Sequence, residues 1–120
     1  MTDEATTLLL RIFVGEYDQL NHEPLYEQIV YAAKKEGLAG ATVTKGVMSF
    51  GANSIVHKSK LVALSEDMPM IIEIVDREEK ITNFMNKLDD LFKKANGGGL
   101  ITYEKVNVKF YGASKNPGNT

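Results

Sequence analysis

Leu8 to Val14 carries apolar side chains on both parities. Leu8, Leu10, Ile12 and Val14 point one way; Leu9 and Phe13 point the other, with Arg11 between them. Side chains alternate across a strand, so this run predicts a strand covered on both faces. Met70 to Val75 repeats the arrangement, with Met70, Ile72 and Ile74 on one face and Ile71 and Val75 around Glu73 on the other. Two central strands are therefore expected, each with a single charge on its second face. An unpaired charge on a covered face is costly, so Arg11 and Glu73 are expected to pair across the strands.

Between these segments the period changes to that of a helix. Leu25, Ile29, Ala32 and Ala33 form a stripe within a helix predicted from about Pro24 to Glu36, widened by Tyr26 and Val30 and stopped by Gly37. A second helix carries Ile81, Phe84, Met85, Leu88, Leu91 and Phe92 at helical period, and Asp76 and Glu79 have capping-box spacing at its start. Val43 to Phe50 reads as a strand, Ile55 to Leu64 as a weaker one, and Leu100 to Tyr111 alternates as a last strand. The order is that of an α+β ferredoxin-like β-α-β-β-α-β sandwich. Two helices cover one face of such a sheet, and the apolar residues on its other face call for a second subunit.

The 120 residues suit one domain, here 8–112, between a flexible N-terminus at 1–7 and a flexible tail at 113–120. The net charge of −2 argues against a dedicated nucleic-acid binder. The absence of Cys excludes disulfides, thiolate metal sites and a Cys nucleophile. No run approaches the ~20 apolar residues of a membrane span, and the acidic start "MTDEATT" lacks a signal peptide's basic region. A cytoplasmic protein is expected.

Catalytic chemistry finds little purchase. His22 and His57 lack the spacing of a ligand cluster and read as two solvated histidines, and Ser49, Ser54 and Ser59 near His57 have the character of ordinary turn residues. Asp89 and Asp90 belong to a solvated helix face. The glycines are more informative. "GLAGATV" sets Gly37 and Gly40 at a helix-to-strand turn, and Gly97, Gly98 and Gly99 join the second helix to the last strand. Consecutive glycine N–H groups can form an anion nest, although the same triplet can serve as a plain helix terminator.

"GLAGATVTKGVMSFG", then "MIIEIVD", then a Gly-rich turn into a final strand resembles the PII-like signalling superfamily. "PLYEQIVYAAKKEGLAGATV" with "IVHKSKLVALSEDMP" and "IIEIVDREEKI" is similar to its branch called domain of unknown function 190. The resemblance spans about residues 8–111. It implies a ferredoxin-like homotrimer with ligand clefts between subunits, adenine nucleotides being the ligands of typical members. Thr42, Phe50 and Gly51 match the first part of that cleft, Glu73 its acidic strand residue, and Gly97, Gly98 and Gly99 its phosphate-facing turn. The turn here is "NGGGLI" where typical members have Gly-Asp-Gly-Lys, which leaves backbone N–H groups as donors and implies modest affinity. The family's partner-docking T-loop corresponds to the short polar connection "SFGANSIVHKSK", in which Asn53, His57, Lys58 and Lys60 offer donors to an anion or an acidic partner. The partner implied is a membrane transporter, a channel or a metabolic enzyme.

The expected function is thus a non-enzymatic trimeric regulator that senses a small anionic ligand, with no metal and no certain cofactor. Two rivals stand beside it: a small oligomeric enzyme working in an apolar cleft, and a ligand-free structural oligomer.

Overall fold

The computed structural model describes residues 5–50, 57–58, 67–95 and 98–114, with backbone alone at 57–58. Gly51, Asn53, Lys60 and Gly97 lie outside the described residues, as does most of the strand expected at Ile55 to Leu64.

The chain runs β1 (Thr7–Gly15), β2 (Gln19–Leu20), β3 (Glu23–Pro24), α1 (Leu25–Lys35), β4 (Thr42–Lys45), β5 (Met48–Ser49), β6 (His57–Lys58), β7 (Pro69–Arg77), α2 (Glu78–Ala95) and β8 (Leu100–Val106). The main sheet is antiparallel in the order β4-β7-β1-β8, so the two segments with apolar residues on both faces are indeed central. This is the ferredoxin-like plan. Both helices pack on one face, where Leu10, Ile12, Ile72, Leu25, Ile29, Ile81 and Leu88 lose all contact with solvent. Full burial of each such side chain stabilises the fold by roughly 1.5–3 kcal/mol.

Local chemistry explains the ends of the elements. Gly37 adopts φ +79° after α1, and Leu38 N donates to Ala33 O at 3.1 Å while Gly37 N donates to Lys34 O at 3.1 Å. That pair of bonds is a Schellman motif, as the glycine predicted. Pro24 sits one position ahead of α1, at its N-cap with ψ 128°, and not in the first helical turn. Two short strands, β2 and β3, were not legible in the sequence. They are joined through Asn21 and His22 at φ 54° and 67°, a two-residue turn of the primed kind that holds Leu20 against the core.

Three expectations need correction. The strand expected from Val43 to Phe50 breaks after Lys45. Its neighbour β7 begins at Pro69, which has no N–H for the ladder, and Gly46 leaves the sheet against the proline ring with its own N–H on Pro69 O at 2.8 Å. The last strand stops at Val106 and does not reach Tyr111. Val106 lies opposite Thr7, the first residue of β1, and Thr7 Oγ1 donates to Val106 O at 2.6 Å. Asp76 does not cap α2 in a box with Glu79. Its buried carboxylate accepts Arg77 N at 2.7 Å and Ala39 N at 2.9 Å, tying the end of β7 to the turn before β4.

Among the described residues no helix is long and apolar enough to cross a membrane.

Candidate functional site

The helix-free face of the sheet holds one polar row. Thr42 on β4 lies opposite Glu73 on β7, Glu73 opposite Arg11 on β1, and Arg11 opposite Thr102 on β8. Side chains opposite one another in register share a face, so the row runs straight across all four strands. Half-buried apolar residues flank it, Leu9 and Val75 on one side and Phe13 and Ile71 on the other.

Arg11 and Glu73 form the cross-strand pair expected from their isolation, Nε to Oε2 at 2.8 Å. Glu104 completes the cluster, accepting from Arg11 Nη1 at 3.0 Å. The hydrogen bond to Glu73 is the leading reason that the Arg11 pKa stands above its ordinary value. In a single copy Arg11 and Glu73 are 40% and 37% exposed. At that exposure an ion pair contributes only about 0.2–1 kcal/mol.

Beside this row lies an open cleft of about 870 Å³, between β7 and β4 on one wall and the chain after β8 on the other. Leu9, Val75 and Val108 give it apolar surface, Thr42 and Glu73 its polar edge, and Phe110 and Tyr111 two exposed aromatic rings. The turn from Ala39 to Ala41 forms its floor at one end, and the Tyr111 hydroxyl donates to Ala39 O at 2.9 Å. That bond links the segment after β8 to the far edge of the sheet. A hydrogen bond of this kind contributes on the order of 1 kcal/mol. Tyr111→Phe is accordingly expected to speed amide hydrogen exchange across 107–112 about fivefold, with α2 unaffected. Unchanged exchange would mean that apolar contacts alone hold the segment.

The residues nominated from the sequence fall into separate groups. Thr42 and Glu73 meet in the cleft. Phe50 stands 68% exposed beyond β5, away from the cleft lining. Gly98 and Gly99 sit at the start of β8, on the opposite edge of the sheet from β4. Three strand spacings, about 14 Å, separate those edges. Gly99 has a packing reason of its own: a Cβ there would lie 2.7 Å from Phe13 O and 2.8 Å from the Phe92 ring, whereas Gly98 faces open space. His57 and Lys58 form β6, paired with β5. His22 is exposed on its turn, and among the described residues no group of three or more His, Asp or Glu is placed to hold a metal.

Ala39–Ala41, Val108, Phe110 and Tyr111 were missed as site residues. The alternation through 111 made the last of these look like strand positions, and only the pairing limit at Thr7 turns them out of the sheet. The aromatic pair directly before Gly112 was the available signal.

The chain matches the model of the DUF190 family, "Uncharacterized ACR", over residues 7–108. It belongs to that family. The match also holds at the level of single relatives. The UPF0166 protein of Aquifex aeolicus (strain VF5) is 38% identical over 100 residues, which are 83% of this chain and 90% of the relative. Among solved structures, this DUF190 chain is similar to CPII, a nitrogen regulatory PII-like protein from Thiomonas intermedia K12 bound to ADP, AMP and bicarbonate. The TM-score is 0.64 at 14% identity, over 86% of this chain and 88% of CPII. It is also similar to the divalent ion tolerance protein CutA1 from Ehrlichia chaffeensis, with TM-score 0.60 at 11% identity over 90% and 88% of the two chains. At such identities the likeness is one of fold: the DUF190 chain shares the fold of the PII-like protein CPII and of CutA1.

Proposed function

We propose that this DUF190 protein is a PII-like trimeric regulator, not an enzyme, that senses a small anionic ligand of the adenine-nucleotide class and passes its state to a protein partner in the cytoplasm. The observation that carries the reading is the meeting of Thr42 and Glu73 at the polar edge of a cleft walled by Leu9, Val75 and Val108. Apolar walls suit the faces of a purine ring, and a hydroxyl beside a carboxylate suits its N–H edge. CPII, of the same fold, binds ADP and AMP.

In this reading the cleft is half a site. Gly97, Gly98 and Gly99 would face the phosphates from a neighbouring copy, since one chain holds Gly98 and Gly99 at the other edge of its own sheet. The trimer would cover Leu9, Phe13, Ile71 and Val75 on the helix-free face, and the Arg11–Glu73 pair would then be worth more than it is in contact with water. The connection after β5, with Phe50 and Gly51 at its base and Asn53, His57, Lys58 and Lys60 along it, would dock on the partner, a transporter, a channel or a metabolic enzyme.

Isothermal titration with AMP, ADP and bicarbonate tests the reading. Binding of one adenine nucleotide per chain, weakened by Thr42→Val, is the expected result. No heat and no thermal shift with any of the three at millimolar concentration would reject it in favour of a ligand-free structural oligomer.

A further inference from the structure

The polar edge of the cleft is set by a residue that stands outside it. Glu73 lines the cleft, and Arg11, one strand further along the same row, donates from Nε to Glu73 Oε2 at 2.8 Å. Arg11 is held from its other side, with Nη1 on Glu104 Oε1 at 3.0 Å. A guanidinium is planar and its donors point in fixed directions, so two carboxylates on two different nitrogens fix its orientation. One oxygen of Glu73 is thereby committed to Arg11. Among the described residues none donates to Oε1, which is left as the acceptor the cleft can use.

We propose that Arg11 is a positioning residue that decides which purines the cleft accepts. By orienting Glu73 it fixes Oε1 as an acceptor at this edge, so a ring with an exocyclic amine is selected over one with hydrogen at that position. The inference rests on the adenine-nucleotide reading above. An amine donates an N–H to the carboxylate, whereas a ring C–H leaves Oε1 without a partner. A hydrogen bond to a charged group supports a preference of roughly 10- to 100-fold, and the unpaired alternative is penalised as well.

The experiment is titration of the intact protein with ADP and with purine riboside 5′-diphosphate, which differs from ADP only in carrying hydrogen in place of the exocyclic amine. Wild type is expected to favour ADP by about 10-fold or more. Glu73→Gln keeps the shape and an oxygen for Arg11 but turns an amide NH2 toward the cleft and the ring amine, so the preference for ADP should fall to parity or reverse. Arg11→Met should cost ADP about 10-fold and leave purine riboside 5′-diphosphate unchanged, and Arg11→Lys should recover part of the loss because it restores the charge without the rigid fork. A purely structural role for Arg11 would weaken both nucleotides equally and keep the ratio. A ratio unmoved by Glu73→Gln, whose fold is checked by its unliganded melting curve, overturns the inference even if Arg11→Met does not fold. Failure of wild type to bind ADP at all rejects the nucleotide reading itself, and this inference with it.

Discussion

Gly99→Ala should lower the melting temperature by roughly 5–15 °C, while Gly98→Val leaves it nearly unchanged. The two residues are adjacent, yet their surroundings differ in kind. A Cβ on Gly99 would lie 2.7 Å from the Phe13 carbonyl oxygen, which belongs to the central strand, and 2.8 Å from the Phe92 ring. The ring can swing aside, but the carbonyl is held by the β1–β8 pairing, in which Phe13 faces Leu100. Over-packing that backbone can relieve only by shifting costs about 1–3 kcal/mol, and each kcal/mol moves the midpoint of a domain this size by several degrees. A Cβ on Gly98 meets nothing within 4 Å, so the expected change is within about 0.5 kcal/mol. Gly98→Val has a separate consequence for the proposed function. Saturating nucleotide at ~100 times its dissociation constant should stabilise the wild type by roughly 2.7 kcal/mol, and the valine should abolish that shift by crowding the phosphates. Differential scanning calorimetry with and without ADP checks both halves. A ligand shift that survives Gly98→Val places the anion elsewhere, and a Gly99→Ala variant as stable as wild type would show that β8 can move away from Phe13.

Ile71→Lys should convert the proposed trimer into monomers. Ile71 lies opposite Phe13 in the centre of the helix-free face, and the two form the apolar flank of the Arg11–Glu73 row. Within one copy the face is only half covered, so a lysine there can keep its ammonium in water and the fold should tolerate it. In the trimer the same position would be buried three times. Losing roughly 2 kcal/mol of burial at each copy raises the dissociation constant of the assembly on the order of 10⁴-fold, before any cost of desolvating the ammonium. Native mass spectrometry at micromolar concentration separates the outcomes. A wild type that is a stable monomer would remove the basis for the inter-subunit cleft, and a trimer that survives Ile71→Lys would put the interface on another surface.

Much of this was written in the chain. Strands with apolar residues on both parities could only be central, and one charge in each could only be tolerated as a pair, so Arg11 and Glu73 were legible before any coordinates. Gly37 announced the end of α1, because few other residues take φ +79° without cost. The family motifs nominated Thr42 and Glu73, and the register sets them side by side.

Other features were decided by the tertiary structure. Where β4 breaks depends on Pro69, which meets Gly46 from 23 positions later in the chain. Where β8 ends depends on where β1 begins, and that boundary turns Val108, Phe110 and Tyr111 from strand positions into the wall of a cleft. The partner of Asp76 is the turn at Ala39, and the third member of the charge cluster is Glu104, diagonal to Arg11 on the neighbouring strand. The sequence by itself determined which positions seek burial, because period and residue type are local properties. Which strands pair, how far they pair and what their ends then touch are set by contacts between distant segments, and only the folded sheet brings those together.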